Sequence, residues 1–88
     1  MTVLPGVSGE IPPELGRLVT LRILYLRGNG LTGSIPKELR GLDKVEDLQL
    51  HLNKLTGAIP TELGRLKTLR ILYLHGNGLT GDYPRSFE

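Results

Sequence analysis

The residues of this 88-residue chain best suited to do chemistry gather in and around one hexapeptide that occurs twice, "GNGLTG", beginning at Gly28 and again at Gly76. Read alone it is G-x-G-x-x-G, the pattern whose glycines let a backbone turn close around a pyrophosphate. A strand-like run, Arg22-Ile23-Leu24-Tyr25-Leu26, comes just before the first copy. Glu46 and Asp47 follow where a ribose-binding carboxylate would stand, about 20 residues further on. His51 and His75 add two imidazoles with a spacing of 24 residues. Dinucleotide binding, metal binding and acid–base catalysis are the chemistries these residue types suggest.

What must position them is a repeat. The two hexapeptides lie 48 residues apart, and halfway between them the chain reads "LNKLTG" from Leu52. Shifted by 24, the chain becomes three near-copies, 7–30, 31–54 and 55–78, with a fragment of a fourth at 79–88. Seven positions per period stay apolar: in the middle copy Leu39, Leu42, Val45, Leu48, Leu50, Leu55 and Ile59. The preceding set is Leu15, Leu18, Leu21, Leu24, Leu26, Leu31 and Ile35, and the following one Leu63, Leu66, Leu69, Leu72, Leu74, Leu79 and Tyr83. Neither a helical nor a sustained strand period fits these spacings. A coil one repeat per turn does, because each position then stacks on its equivalent in the next turn.

Within a turn, alternation sends Leu24 and Leu26 inward and Ile23 and Tyr25 outward. Strands are expected near Arg22–Leu26, Asp47–Leu50 and Arg70–Leu74, paired in parallel because every turn runs the same way. Asn29, Asn53 and Asn77 close the strands at matching places, and a column of buried amides can satisfy backbone groups where the chain leaves the sheet. Pro36 and Pro60 open short helical segments, which Gly41 and Gly64 hold to about two turns. The hexapeptide's glycines are then punctuation around an asparagine turn. A dinucleotide site needs a long helix after its third glycine, whereas Pro36 begins a short one.

Composition narrows the classes further. There is no cysteine, which excludes disulfides and thiolate metal sites, and a net charge of +2 gives no reason to expect a nucleic-acid partner. No run is long enough for a membrane-spanning helix, so direct membrane insertion is not expected. "MTVLPGV" has neither the basic region nor the apolar stretch of a secretion signal, and no N-x-S/T glycosylation acceptor is present.

"LRILYLRGN", "VEDLQLHLN" and "LRILYLHGN" resemble the L-x-x-L-x-L-x-x-N signature of leucine-rich repeats. "LTGSIP" and "LTGAIP" are similar to the plant-specific subclass, whose repeats are 24 residues long and which is typical of receptor-like kinase ectodomains. The resemblance implies an α/β fold: a right-handed solenoid with a parallel sheet on its concave face and short helical (3-10) segments on its convex face. It also implies a protein- or peptide-binding scaffold, part of a longer recognition or signalling protein. The chain lacks the family's usual signal peptide and paired-cysteine caps. Taken as complete it reads as cytoplasmic; as a piece of a receptor-like protein it belongs outside the cell, at the plasma membrane. The near-identity of the first and third copies fits duplication of a two-repeat unit or consensus design.

The outward strand positions form four columns: Arg22–Glu46–Arg70, Ile23–Asp47–Ile71, Tyr25–Gln49–Tyr73 and Arg27–His51–His75. In the family this face binds ligands, which makes all twelve candidates, with Tyr25, Tyr73, Ile23 and Ile71 surrounding an acidic centre. The same residues are also good strand formers bearing a surface charge ladder. His51 and His75 share their column with Arg27 and no third ligand, so no metal site is expected. No nucleophile–base pair or separated carboxylate pair stands out, so neither an enzyme nor a cofactor is expected. The alternative to a binding scaffold is a structural, self-associating unit, with Leu4 and Val7 at one end and Leu79, Tyr83 and Phe87 at the other left uncovered.

Overall fold

The computed structural model describes residues 2–3, 9–81 and 83. Its strands are β1 (Thr2–Val3), β2 (Ile23–Tyr25), β3 (Asp47–Gln49), β4 (Thr56–Ala58), β5 (Ile71–Tyr73) and β6 (Gly78–Thr80). Between them lie three 3-10 helices, Pro13–Arg17, Lys37–Gly41 and Thr61–Arg65. β1, β2, β3 and β5 make one parallel sheet in that order, one strand wider than the sequence suggested. Its register follows the repeat, Ile23 beside Asp47 beside Ile71, an offset of 24 residues at each step. The chain therefore climbs one strand per turn, and each turn's 3-10 helix packs on the next. This is the expected solenoid.

A second parallel sheet, β4 with β6, was not foreseen. It pairs at an offset of 22, Thr56 with Gly78, as does the isolated bridge between Glu10 and Thr32. The L-T-G segments therefore cross the stack of turns obliquely. Gly9, Gly33, Gly57 and Gly81 all take φ between 77° and 81° there, a region that a β-carbon disfavours. The same demand is met differently in the asparagine turn. Gly28 and Gly76 are left-handed, with φ of 68° and 72°, but Leu52 holds the equivalent place at φ 59°. For a leucine that conformation costs about 1–2 kcal/mol.

The 3-10 helices correct two sequence expectations. Pro36 and Pro60 sit one residue before their helices, in extended backbone, rather than inside the first turn; in the first copy Pro12 takes that place and Pro13 begins the helix. Glycine does not set helix length: all three helices have five residues, although "LGR" in the outer copies becomes "LRG" in the middle one. The helices end where Leu18, Leu42 and Leu66 donate their N–H groups back to Leu15, Leu39 and Leu63. Gly16 and Gly41 instead let two turns touch. A β-carbon on Gly16 would overlap the Glu38 carbonyl, and one on Gly41 would overlap the Gly16 carbonyl.

The core is the predicted set of leucine columns, with Ile11 added at the N-terminal side. In the middle copy Leu39, Leu42, Val45, Leu48, Leu50 and Leu55 are fully buried, and Ile59 packs partly buried against them. Leu18 and Tyr83 are corrections: both stand at core positions of the repeat, yet they are 43% and 37% exposed. Each lies in an outer turn and lacks a layer on one side. Leu4, Val7 and Phe87 lie outside the described residues. Among the described residues no helix is long and apolar enough to cross a membrane.

Candidate functional site

The outward face of the four-stranded sheet carries the candidate residues in the expected columns, because parallel pairing in register places equivalent side chains side by side. At its lower edge Arg22 donates from Nε and Nη2 to one oxygen of Glu46, at 3.1 and 2.7 Å. The pair is open to solvent, so it orients Glu46 more than it stabilises the fold. Arg70 flanks Glu46 on the other side and has no side-chain partner among the described residues.

Across the middle, Asp47 organises its neighbours. Its carboxylate accepts from the Tyr25 hydroxyl at 3.1 Å and from the Gln49 amide at 3.1 Å. Lost hydration, then the hydrogen bond to Asp47, raise the Tyr25 phenol above its ordinary pKa and hold its proton. The "acidic centre" of the sequence reading is thus an engaged one: both carboxylates already hold partners on the face. Ile71 and Tyr73, on the outermost strand, are 39% and 44% exposed. Ile23 and Tyr25 are half-buried.

At the upper rim His51 and His75 stack, with ring centroids 4.6 Å apart and planes at 28°. Tyr73 meets His51 edge-on at 5.3 Å and His75 at 5.9 Å. His51 is buried and its Nδ1 has no hydrogen-bond partner, a departure from the exposed position expected of it. Burial lowers its pKa below the ordinary imidazole value, with help from His75 and Arg27. His51 is therefore a neutral packing element, and Tyr73 and His75 stand against it. Among the described residues no three potential ligands come together around a metal position.

Behind the rim, the Asn53 and Asn77 side chains of the asparagine column bond to backbone groups of two successive turns. Asn53 accepts from the backbone N–H groups of Asn29 and Leu31 at 2.9 and 3.1 Å. Its amide donates to the carbonyls of Leu26, Leu50 and His51. Asn77 repeats the pattern one turn on, accepting from Leu55 and donating to Leu50, Leu74 and His75. Each side chain bolts its own turn to the backbone of the preceding one, which fixes the rim residues Arg27, His51 and His75 beside it.

Residues 19–79, more than two thirds of the chain, match the leucine rich repeat family. The chain belongs to that family. Among leucine-rich-repeat relatives, a probable receptor-like serine/threonine-protein kinase, RPK1 of Arabidopsis thaliana, is 47% identical over 47 residues, covering 53% of this chain and 9% of that protein. The solved structure of the plant peptide hormone receptor RGFR1 in complex with RGF2 is 48% identical, with a TM-score of 0.84 over 91% of this chain and 13% of that one. A plant ice-binding protein of the same fold is 40% identical, with a TM-score of 0.84 over 96% of this chain and 27% of that one. The chain thus spans about a tenth of the receptor-like kinase and of the RGFR1 chain, and about a quarter of the ice-binding protein.

Sequence reasoning missed one surface. β4 and β6, with Thr32 and Ser34 of the preceding turn, present Thr32, Ser34, Thr56, Ala58 and Thr80 to solvent. Within β4 and β6 no side chain is charged. The recurring "LTG" was the available signal. Its threonine favours a strand, but the glycine beside it and a length of three residues hide one.

Proposed function

We propose that this chain is a segment of a protein- or peptide-binding scaffold whose strand face receives an extended partner. The carrying observation is the row Tyr25–Gln49–Tyr73 on three adjacent strands. Its first two members are held by Asp47 and its third is packed against His51. Aromatic side chains fixed before contact lose little freedom on binding, and this makes them effective anchors. The likeness to a peptide hormone receptor in complex with its peptide supports the reading. The relation to a receptor-like kinase supports placing the segment outside the cell, as part of a longer receptor-like protein.

The test is a selection of displayed peptides on the immobilised protein. Tyr25→Ala with Tyr73→Ala should abolish capture of the selected peptides. Lys37→Ala with Arg40→Ala, on a 3-10 helix, should leave capture intact. The opposite pattern, with circular dichroism unchanged in both variants, moves the site to the helical side and rejects the proposal.

One observation favours a second reading, ice binding by the second sheet. Its exposed, uncharged row of threonine, serine and alanine belongs to a chain similar to a plant ice-binding protein. On this reading the protein slows ice recrystallisation, and Thr56→Lys removes the effect without touching peptide capture.

A further inference from the structure

Resting on the reading of the strand face as a peptide site, we infer that its ligand is an acidic peptide, with carboxylates near both ends of its contact and an uncharged middle. Charge complementarity carries the inference. Both acids of the face are engaged from within: Glu46 by Arg22, and Asp47 by Tyr25 and Gln49. Two of the three arginines of the face are not so balanced. Arg27 and Arg70 are exposed and have no side-chain hydrogen bond or ion pair among the described residues. The charged side chains of the face left without any partner among the described residues are therefore cations, although Glu46 stands at the centre and Asp47, hydrogen-bonded only to neutral groups, keeps its charge there.

Their placement sets a spacing. Arg27 lies beyond the C-terminal end of β2, and Arg70 just before β5, two strands away. With about 4.8 Å between strands and about 3.3 Å per residue along them, these opposite corners are roughly 19 Å apart. An extended chain covers that distance in about six residues. The stretch between crosses Asp47, Gln49 and the tyrosines. An acid there would meet the Asp47 carboxylate, whereas amide, hydroxyl or apolar side chains would meet Gln49 and the rings. The expected ligand carries Asp or Glu about five or six residues apart, with no charge between them.

The experiment is selection from a display library of random peptides of about ten residues, long enough to span both corners. Enriched sequences should show two acids at that spacing. Arg27→Gln with Arg70→Gln should weaken the winning peptide about tenfold or more. Each single variant should relax the preference at one acidic position only, and Arg17→Gln with Arg40→Gln should change nothing. Enrichment of basic or uncharged peptides that still need Tyr25 and Tyr73 overturns the charge assignment and leaves the site standing. So does an equal response of acidic peptides to the control variant. Failure to enrich any peptide that depends on Tyr25 and Tyr73 overturns the site and the inference together.

Discussion

Asn53 and His51 show how two neighbouring buried polar residues do opposite things. Asn53 satisfies five backbone groups with one amide, and it is 8% exposed. Asn53→Ala leaves several of those groups without a partner, at about 1–3 kcal/mol for each that water cannot reach. The substitution should therefore cost about 3 kcal/mol or more in urea unfolding, and more than Asn77→Ala, whose partners are less buried. Equal, small losses would show that water replaces the amide in both turns. The His51 carbonyl accepts from Gly28 N–H and the Asn53 amide, but its ring leaves Nδ1 unpaired, and burial lowers its pKa. The unfolded chain takes up a proton near the ordinary value of 6.5 while the folded chain resists it. The stability tied to neutral His51 is thus complete above that pH and is lost as pH falls from there toward the lowered folded value. Unfolding midpoints measured between about pH 7.5 and about pH 5 should decline, and His51→Phe should flatten the decline. An unchanged slope in the variant would assign it to other groups.

At the scale of elements, the strands and columns of the main sheet were legible because outward and inward positions recur every 24 residues. Every candidate residue could be put in its column from spacing alone. Which charges were already engaged could not: Glu46 turning to Arg22 and Asp47 reaching Tyr25 are rotamer choices that no spacing encodes. The second sheet was hidden because Thr56-Gly57-Ala58 is a poor strand by composition and exists through its neighbour in the stack. The glycines of the 3-10 helices were visible but misread, since a breaker and a contact point look alike in one dimension. Gly16→Ala separates the two roles. A breaker replaced by alanine would lengthen or stabilise its helix. A contact glycine would force the Glu38 carbonyl away, at about 1–3 kcal/mol. The melting temperature should therefore fall, and by more than for Gly28→Ala. Gly28 has positive φ but nothing within 4 Å of a new β-carbon, so it loses only about 1 kcal/mol from the backbone. A rise in melting temperature for Gly16→Ala would restore the breaker.

For the whole molecule, what matters is that identical residues in equivalent positions do not have equal surroundings. Leu18, Leu42 and Leu66 form one column, each closing a 3-10 helix with the same backbone bond. They are 43%, 0% and 6% exposed, because Leu42 has a layer on both sides and Leu18 does not. In a stack whose stability is a sum of turns and of interfaces between neighbouring turns, one truncation should then carry three different costs. Leu42→Ala removes a fully enclosed side chain and leaves a cavity, at about 3–5 kcal/mol. Leu66→Ala should cost about 2–3 kcal/mol, since the outer turn can relax into the space. Leu18→Ala gives up little buried area and should cost less than about 1 kcal/mol. Amide exchange should grade the same way, slowest for Leu48 and Leu50 and faster toward Leu24 and Leu72. If the three variants lost equal stability, the turns would be unfolding as one indivisible unit with burial at each site playing no part, and the nearest-neighbour account of this short solenoid would have to be given up.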